Sequence, residues 1–434
     1  MQVLKRRLEK SEEYWARAKK LIPAGTQTFS KGPTQYVDGV APKYLKRGKG
    51  SHVWDVDGNE YIDYAMGLHP IILGYSYPRV NEAIRKQLED GTTFSLMHPL
   101  EVEVTELLVE VIPCAEMARF GKSGSDATTA AVRVARAFTG RDKIASEGYH
   151  GWQDWYIGTT EFSKGVPEAV KALTETFKYN DIESLEKVFA RNEHQIAAVV
   201  MEPVGVVEPK DGFLQKVKDL AHKNGALLIF DEVISGFRMA LGGAQEYFGV
   251  TPDLAAFGKA MANGMPISTV VGRSDVMSLF NEVFFSHTFG GETLSLAASL
   301  ATMNEIREKN VVSYIWKQGK KLQDAYQKIA DEAHLENGYT ISCVGFPPRH
   351  SISFHDAAGK DCLEMKSLFQ QEMLKRGILF PGYDAVSFSH SDEDIERTIE
   401  AAGDAMKIVA KATRENDFLK YLEGGVVKPV FRNP

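Results

Sequence analysis

The chain has 434 residues, of which 44% are hydrophobic and 25% are charged, and its net charge is −7. This length and balance are typical of a folded protein with two or three domains. The modest negative charge and the lack of a long basic block argue against a nucleic-acid partner. No apolar run reaches the roughly 20 residues of a membrane-spanning helix, and the charged amino-terminal stretch lacks the apolar segment of a signal peptide. We therefore expect a cytoplasmic protein that makes no membrane contact.

The three cysteines are widely spaced along the chain, at Cys114, Cys343 and Cys362. They form no Cys-x-x-Cys pair and no cluster with histidines, as zinc sites and disulfide frameworks would require. We expect neither a disulfide nor a metal site, and we interpret the cysteines as ordinary buried thiols.

The pattern of apolar runs changes twice along the chain. The first 60 residues contain a helical pattern and then VWDVDGNEYIDY, in which Asp57-Gly58 or Gly58-Asn59 can form the turn of a hairpin. From about residue 100 to 300, short apolar runs alternate with helical patterns, which predicts parallel βαβ units. Beyond about residue 311, a long helical pattern and a strand pair in ISCVGFPPRHSISF predict a separate α+β unit.

These patterns predict an α/β protein with a large domain around a mostly parallel sheet and a smaller carboxyl-terminal α+β domain. The predicted parts are an amino-terminal segment at 1–60, the large domain at 61–310 and the small domain at 311–434. The predicted strands of the large domain include IAAVVMEPV, ALLIFDEV, DLAAFGKA and STVVGR. Because such sheets bind their ligands at the carboxyl ends of the strands, we expect the functional site there.

The stretch Ser123-Gly124-Ser125 precedes a helical pattern with small and apolar residues on one face. Free amides and the positive end of the helix dipole make such a start an anion site, and glycine lets a phosphate approach closely. Plain N-capping by serine is the alternative. Gly121-Lys122-Ser123 is not a P-loop, because Glu116 stands where that motif needs glycine.

An aromatic cluster follows the predicted strand KIAS. It consists of Tyr149, His150, Trp152 and Trp155 in EGYHGWQDW. Aromatic side chains at this place could belong to the core, or they could stack on a planar ring.

Three charged residues stand at the ends of predicted buried strands: Glu202, Asp231 and Lys259. A buried carboxylate needs a cation or a strong donor, so Asp231 is either a ligand-binding group or part of a helix cap or an ion pair with Arg238. A lysine with a buried stem has a lowered pKa and becomes a nucleophile towards carbonyls. An exposed lysine at a strand tip is the alternative for Lys259.

One ligand accounts for all of these features together, a phosphorylated pyridine that carries an aldehyde. Lysine forms its Schiff base, aspartate keeps the ring nitrogen protonated, the helix start holds the phosphate, and an aromatic side chain stacks on the ring. That ligand is pyridoxal 5'-phosphate (PLP).

With these residues in place, the chain resembles the class III, fold type I aminotransferases, most closely the glutamate-1-semialdehyde aminomutase branch. The resemblance extends over nearly the whole sequence. Its motifs are PAGTQTF, KGSHVWDVDGNEYIDY, SGSDATTAAVRVARAFTGRDKI, GYHG, MEPV, LLIFDEVISGFR, FGKAMANGMP, HTFGGETLSLAA and SHSDEDIERTIEAA.

The resemblance implies a role for each residue. Lys259 would be the Schiff-base lysine and proton carrier, and Asp231 the partner of the pyridine nitrogen. Val233 would pack beneath the ring and Tyr149 would stack above it. In a homodimer with shared active sites, Thr288 would reach the phosphate of the neighbouring subunit. The further cofactor-binding residues that the resemblance implies are Ser123, Gly124, Ser125, His150 and Glu202.

The sequence departs from the aminomutase on the substrate side. PAGTQTFSK puts Lys31 where the aminomutase has an arginine for the substrate carboxylate, and lysine lacks the two-pronged fork of arginine. The segment after GYHG is shorter, and Val207 stands where an asparagine is expected. We assign Lys31 and Trp155 to the substrate and expect an active PLP site with a substrate other than glutamate semialdehyde.

The variants FSKGP, GSDA, GYHGW and TFGGE resemble those of aminotransferases associated with surface polysaccharide synthesis. We therefore expect transfer of an amino group from a donor, with glutamate as the expected donor, to a small or sugar-derived aldehyde or ketone. The aminomutase reaction, which needs no external donor, is the first alternative. A catalytically silent binding protein is the second, and the intact Lys259 and Asp231 argue against it.

Overall fold

The computed structural model describes residues 6–428. Its helices in chain order are α1 (Glu9–Leu21), α2 (Pro78–Asp90), α3 (Pro99–Val111), α4 (Gly124–Thr139), α5 (Asp154–Ile157), α6 (Glu168–Lys171), α7 (Ile182–Arg191), α8 (Phe213–Lys223), α9 (Ala244–Phe248), α10 (Ser274–Met277), α11 (Thr293–Glu308), α12 (Val311–Glu332), α13 (Leu363–Lys375) and α14 (Asp392–Glu415). None of the helices within residues 6–428 is both long and apolar enough to cross a membrane.

The strands in chain order are β1 (Leu45–Lys49), β2 (His52–Asp55), β3 (Glu60–Asp63), β4 (Met117–Gly121), β5 (Lys143–Glu147), β6 (Thr174–Thr176), β7 (Ile196–Met201), β8 (Leu227–Asp231), β9 (Leu254–Phe257), β10 (Ser268–Gly272), β11 (Thr340–Phe346), β12 (Arg349–His355), β13 (Ile378–Leu379) and β14 (Tyr383–Ala385). They form three sheets of seven, four and three strands. The seven-stranded sheet carries the functional site.

Contacts within the chain divide the described residues into two compact units. The terminal unit consists of the residues up to Tyr77 together with those from Ser313 onward, and the central unit is Pro78–Val312. Residues 61–77, which the sequence assigned to the large domain, group with the chain ends. The domain boundaries at 60 and 310 stay a prediction.

The central unit is built on the seven-stranded sheet, whose strand order is β4-β10-β9-β8-β7-β5-β6. β5 pairs with β6 and β7, β7 pairs with β8, and β8 pairs with β9, all in parallel. Every residue of β7, β8 and β9 is buried, as expected for strands inside a parallel sheet. The predicted α/β fold with a mostly parallel sheet is confirmed.

Strand β10 is the exception to the parallel arrangement. It runs antiparallel to both of its neighbours, β4 and β9, so the prediction of a parallel strand at STVVGR is wrong. A parallel connection needs about a dozen or more residues to cross over the sheet. The chain between β9 and β10, residues 258–267, is too short for that crossover.

Helix α4 lies against the sheet through small side chains. Ala130, Ala131, Val134 and Ala135 belong to one buried cluster with residues of β7, β8, β9 and β10. Small residues let the helix axis approach the sheet closely. At the start of α4 the approach is so close that a Cβ atom on Gly124 would lie 2.8 Å from a methyl group of Val233.

The terminal unit contains the two hairpins that the sequence predicted. β2 and β3 pair antiparallel in the sheet β1-β2-β3-β13, and β11 and β12 pair antiparallel in the sheet β11-β12-β14. Gly58 has a φ of +94° in the connection between β2 and β3, a conformation that glycine adopts without strain. Both hairpin predictions are confirmed.

The cysteines differ in burial. Cys114 and Cys362 are buried and Cys343 is half-buried, and all three are free thiols. Burial raises the pKa of the Cys114 thiol, which keeps it in the unreactive protonated form. The expectation of buried thiols is correct for Cys114 and Cys362.

The terminal unit also contains one turn of left-handed helix. The φ angles of residues 66–69 all lie between 43° and 81°, and the amides of Leu68 and His69 both donate to the carbonyl of Ala65. Each non-glycine residue in this conformation costs about 1–2 kcal/mol. Asp63 anchors the turn, since its carboxylate accepts from the amide of Ala65 at 2.7 Å and from the hydroxyl of Tyr75 at 2.6 Å.

His52 connects the β2–β3 hairpin to the start of α14. Its Nδ1 lies 2.8 Å from Glu60 Oε1, and its Nε2 lies 2.9 Å from Asp394 Oδ1. The bond to Asp394 raises the pKa of His52 although burial opposes it. Burial opposes the charge on Asp394 as well, but the bonds from His52 and Ser51 hold the pKa of that carboxyl well below its usual value.

Replacing His52 with glutamine is expected to lower the free energy of unfolding by about 1 kcal/mol near pH 6 and by much less at pH 9. A histidine whose pKa is raised in the folded state contributes stability that is complete below its unfolded pKa and is lost as the pH rises through its folded pKa. Urea unfolding followed by circular dichroism at both pH values measures the difference. The exposed His194, replaced in the same way, is the control. An equal loss at pH 6 and pH 9 for His52→Gln would contradict the prediction.

Candidate active site

The carboxyl ends of the parallel strands meet at one cavity of the central unit. Its volume is about 160 Å³. It lies where β5, β7, β8 and β9 end. The cavity is lined by Gly124, Ser125, Tyr149, His150, Gly151, Glu202, Val204, Asp231, Val233, Ile234, Ser235 and Lys259.

Lys259 stands two residues after the end of β9, at the beginning of a short 3₁₀ helix, Lys259–Ala262. Its φ of +39° lies in the left-handed region, which costs a non-glycine residue about 1–2 kcal/mol. Lys259 is half-buried, and its neighbours Gly258 and Ala260 are buried. Lys259 therefore lines the cavity just after the end of β9, in a strained backbone conformation.

Asp231 is the last residue of β8 and is only 6% exposed. Its Oδ1 accepts a hydrogen bond from the Val233 amide at 3.1 Å, and its Oδ2 lies 2.8 Å from Nδ1 of His150. The sequence raised an ion pair with Arg238 as one possibility, whereas in the structure His150 forms an ion pair with Asp231. The carboxylate thus has two partners and lines the cavity.

His150 is buried beside Asp231, and its second nitrogen is bonded as well. Nε2 lies 2.6 Å from the carbonyl oxygen of Glu147, the last residue of β5. Burial lowers the pKa of His150, but Asp231, Glu202 and the Glu147 carbonyl together raise it above its usual value. His150 is therefore held in place from both sides of its ring.

Trp155 lies behind His150 and not in the cavity wall. Its ring stacks on the imidazole with the ring centres 5.8 Å apart, and its Nε1 donates to the Thr129 hydroxyl at 3.0 Å. Only 5% of Trp155 is exposed, and it lines a different cavity of about 280 Å³ beside α4. The structure thus makes Trp155 a packing partner of His150, which does not support the predicted substrate contact.

The start of α4 borders the cavity with backbone amides. Ser123 caps the helix, because its hydroxyl accepts from the Asp126 amide and the Asp126 carboxylate accepts from the Ser123 amide. The amides of Gly124 and Ser125 precede the first bonds within the helix and so have no helical acceptor. Both residues line the cavity, whereas Ser123 acts as the cap.

Gly151 packs directly against Ser125. A Cβ atom on Gly151 would lie 1.9 Å from the Ser125 hydroxyl oxygen, and the φ of Gly151 is +106°. Only glycine fits this place, and Ser125 in turn accepts from the Trp152 amide at 3.3 Å. The glycine that follows His150 in GYHG is the sequence signal for this residue, which was not among the predicted site residues.

Glu202 and Tyr149 form another wall. The Tyr149 amide donates to Glu202 Oε1 at 2.9 Å, and the Tyr149 ring is 39% exposed at the cavity. The half-buried Val233 lines the cavity as well. The structure thus brings together eight of the ten predicted cofactor-binding residues. The cavity residues that the sequence analysis left without a role are Gly151, Val204, Ile234 and Ser235.

Besides Ser123 and Trp155, the predicted residues Thr288 and Lys31 are not part of the cavity lining, and neither is Val207, which stands where an asparagine was expected. Thr288 is exposed in the segment before α11. Lys31 is exposed at the end of a 3₁₀ helix, Phe29–Lys31, in the terminal unit, and Val207 is 53% exposed. The roles of Thr288 and Lys31 stay predictions.

Comparison with known proteins identifies the family. The model of the family "Aminotransferase class-III" matches residues 36–338. The chain belongs to the class III aminotransferases. It is 36% identical over 417 residues to the 3-aminobutyryl-CoA aminotransferase of Cloacimonas acidaminovorans, with 94% of this chain and 99% of that protein covered. It is 38% identical over 429 residues to the glutamate-1-semialdehyde 2,1-aminomutase of Alkaliphilus oremlandii, with 93% and 100% covered.

Solved structures agree with this class III membership. The FumI protein of Sphingopyxis sp. MTA144, solved with PLP, has a TM-score of 0.87 and 27% identity, covering 94% of this chain and 98% of that one. An omega-transaminase from Sphaerobacter thermophilus has a TM-score of 0.83 and 27% identity, covering 92% and 98%. The predicted family, fold type and cofactor are confirmed.

This class III aminotransferase is a PLP-dependent enzyme, and its cavity fits the cofactor. It offers an amine at Lys259, a buried carboxylate at Asp231, unbonded amides at the start of α4 and an exposed aromatic ring at Tyr149. The close contact of Gly151 with Ser125 leaves no room for a side chain beside these amides. The cavity thus has an amine suited to the aldehyde of PLP, a carboxylate suited to its ring nitrogen, and backbone amides suited to its phosphate.

Replacing Gly151 with alanine is expected to weaken PLP binding about tenfold or more. The new methyl group must displace the Ser125 hydroxyl, and with it the start of α4. Titration of the cofactor-free protein with PLP, followed by protein fluorescence, measures the affinity.

Gly165→Ala is the matched control for this substitution. Gly165 has a similar φ of +95°, but nothing lies within 4 Å of the place of its Cβ. The control carries the same backbone strain without the clash and should bind PLP normally. Equal affinities of the two variants for PLP would show that Ser125 is not part of the cofactor site.

Proposed function

We propose that this cavity is the active site and that Lys259 and Asp231 carry the reaction. Lys259 would attach the cofactor through its amine and would then hold and move the proton of the substrate's amino carbon. Asp231 would accept a hydrogen bond from the protonated ring nitrogen. The observation that carries this proposal is the convergence of both side chains on one cavity at the ends of β8 and β9.

The remaining wall residues would hold the cofactor in place. Gly124 and Ser125 would donate their backbone amides to the phosphate, and the Ser125 hydroxyl would add a further bond. Val233 would pack against one face of the ring and Tyr149 against the other. Glu202 would keep the GYHG segment in position through its bond to the Tyr149 amide. When bound, PLP supplies a carbonyl for amines and a ring that accepts electrons.

Class III aminotransferases transfer an amino group between an amino donor and a carbonyl acceptor, and we propose this reaction for the chain. We propose an acceptor whose reacting carbon carries no free carboxylate, that is, a small or sugar-derived aldehyde or ketone or a β-keto acyl compound. Among the described residues that line the cavity there is no arginine, and Lys259 is the only cationic side chain apart from the His150 imidazole. The relative named 3-aminobutyryl-CoA aminotransferase supports this class of substrate.

The amino donor that we propose is glutamate. The resemblance to the aminomutase implies that Lys31 contacts the substrate, and that contact is part of the proposal. A role in surface polysaccharide synthesis is a proposal that rests only on the short motifs of the sequence.

The aminomutase reaction is the second candidate. Four relatives that are 37–38% identical to the chain are named glutamate-1-semialdehyde 2,1-aminomutase. An aminomutase returns the amino group to the same molecule and needs no external donor. The silent binding protein is argued against by the family, whose related members are named as enzymes.

Adding L-glutamate to the PLP-loaded protein is expected to convert the visible absorbance band to the shorter-wavelength band of pyridoxamine phosphate. This change of the absorbance spectrum is the expected sign of the first half of a transamination. Absorbance spectra with single amino donors, one at a time, measure this conversion.

Lys259→Ala is the control for this experiment. It should keep the fold and bind PLP, but it should lose the lysine-linked band and lower the conversion rate by about 10³-fold or more. A retained lysine-linked band in this variant would contradict the role of Lys259. A wild-type band that no common donor changes would favour the aminomutase.

We also propose that the enzyme is a homodimer in the cytoplasm. The exposed large apolar side chains of the central unit include Phe94, Leu96, Met97 and Phe289, which lie in two segments. The two segments lie side by side, because Thr293 bonds to the backbone of residues 91–92. Such a patch is typical of an interaction surface. The exposed Thr288 lies next to Phe289 of this patch, and the resemblance implies that it reaches the phosphate of the neighbouring subunit.

Replacing Met97 with aspartate is expected to shift the protein from dimer to monomer, because the charge would have to be buried in the interface. Sedimentation velocity at micromolar protein concentration measures the change. Leu21→Asp is the control, since Leu21 is 78% exposed, close to the 83% of Met97, but lies in the terminal unit. A dimer that persists with aspartate at position 97 would rule out this patch as the interface.

A further inference from the structure

Both ring nitrogens of His150 face oxygen acceptors. Nε2 lies 2.6 Å from the carbonyl oxygen of Glu147. A carbonyl oxygen can only accept, so Nε2 must carry a proton. Nδ1 lies 2.8 Å from Oδ2 of Asp231, and a contact this short needs one proton between the two atoms.

The proton between Nδ1 and Oδ2 has two possible owners. If Asp231 owned it, the carboxyl group would be neutral, and its Oδ1, which accepts from the Val233 amide at 3.1 Å, would be a weak acceptor. If His150 owns it, the ring is an imidazolium and the carboxylate is an anion. The second arrangement forms two charge-assisted hydrogen bonds, which are stronger than neutral ones.

We propose that His150 is a permanent imidazolium whose function is to keep Asp231 ionised, so that the ring nitrogen of PLP retains its proton. His150 is thus a positioning residue that acts through Asp231. This inference rests on the proposed contact between Asp231 and the ring nitrogen. A lower proton affinity of Asp231 leaves the shared proton on the pyridine side, where it makes the ring an electron acceptor.

The surroundings of His150 favour its positive charge. The acidic groups that face it are Asp231 and Glu202, and the carbonyl of Glu147 points the negative end of its dipole at Nε2. The Trp155 ring stacks on the imidazole at 5.8 Å with an angle of 13° between the planes, a geometry in which the aromatic face attracts a cation. The Tyr156 ring contacts it edge-on. His150 itself is only 2% exposed, so water contributes little to its state.

Nuclear magnetic resonance of the cofactor-free protein, labelled with ¹⁵N-histidine, tests the proposal directly. We expect one histidine whose two ring nitrogens both remain protonated at pH 8, and whose signals disappear in the His150→Asn variant. A neutral His150 with a bare Nδ1 at pH 7 would overturn the proposal. This outcome would leave the proposed active site standing, because it does not involve the cofactor.

Reconstitution with PLP labelled with ¹⁵N at the ring tests the consequence. In the wild type the ring nitrogen is expected to stay protonated up to high pH. In His150→Asn, whose amide can still donate to Asp231 but carries no charge, the ring nitrogen should lose its proton at a lower pH. PLP affinity should fall about 10- to 100-fold, because a hydrogen bond between charged groups is weakened. His222→Asn, which removes a histidine–aspartate contact of the same 2.8 Å length outside the cavity, is the control and should titrate like the wild type.

Asp231→Asn distinguishes the proposed contact between Asp231 and the ring nitrogen from the proposed role of His150. If it removes the ring proton and His150→Asn does not, His150 has only a packing role and the inference is overturned, while the proposed function stands. If neither variant changes the ring nitrogen, the contact between Asp231 and the cofactor is itself wrong. Loss of the ring proton in both variants supports the inference.

Discussion

A strand that is buried on both faces has room for polar groups only where it ends, and the rest of this structure depends on that constraint. Every residue of β7, β8 and β9 is buried, and β8 ends in Asp231. The strands are parallel, so their carboxyl ends lie at one edge of the sheet. Glu202, Asp231 and Lys259 are thereby gathered in one place although they are far apart in the chain.

The charges at this edge have to be balanced locally, since little water reaches them. Asp231 is balanced by His150, and His150 is held by the carbonyl at the end of β5. Hydrogen bonds thus connect the ends of two strands that are not neighbours in the sheet, because β7 lies between β5 and β8. A substitution at Asp231 or His150 is therefore expected to change the hydrogen bonds of the other residue.

Much of this arrangement could be predicted from sequence because it is local. The apolar runs that end in Asp231 and Glu202, and the Ser123 cap followed by small residues, each mark their own positions. The pairing of His150 with Asp231 could not be predicted, because 81 residues separate them and no periodicity connects them. The direction of β10 follows from the ten residues between it and β9, a length that the alternation of apolar runs does not take into account. The contact of Trp155 with His150 depends on how the segment after β5 folds back, which residue type does not show.

The strained backbone of Lys259 affects how such a sequence changes over time. With φ at +39°, position 259 has a conformation that glycine adopts freely and lysine does not. Stability alone would favour glycine there, so on the proposed role of Lys259 it is selection for the reaction that maintains the lysine. A descendant that no longer performed the reaction would gain stability by losing the lysine. If Lys259 has the proposed role, the residue at this position would show whether a related protein has kept the reaction.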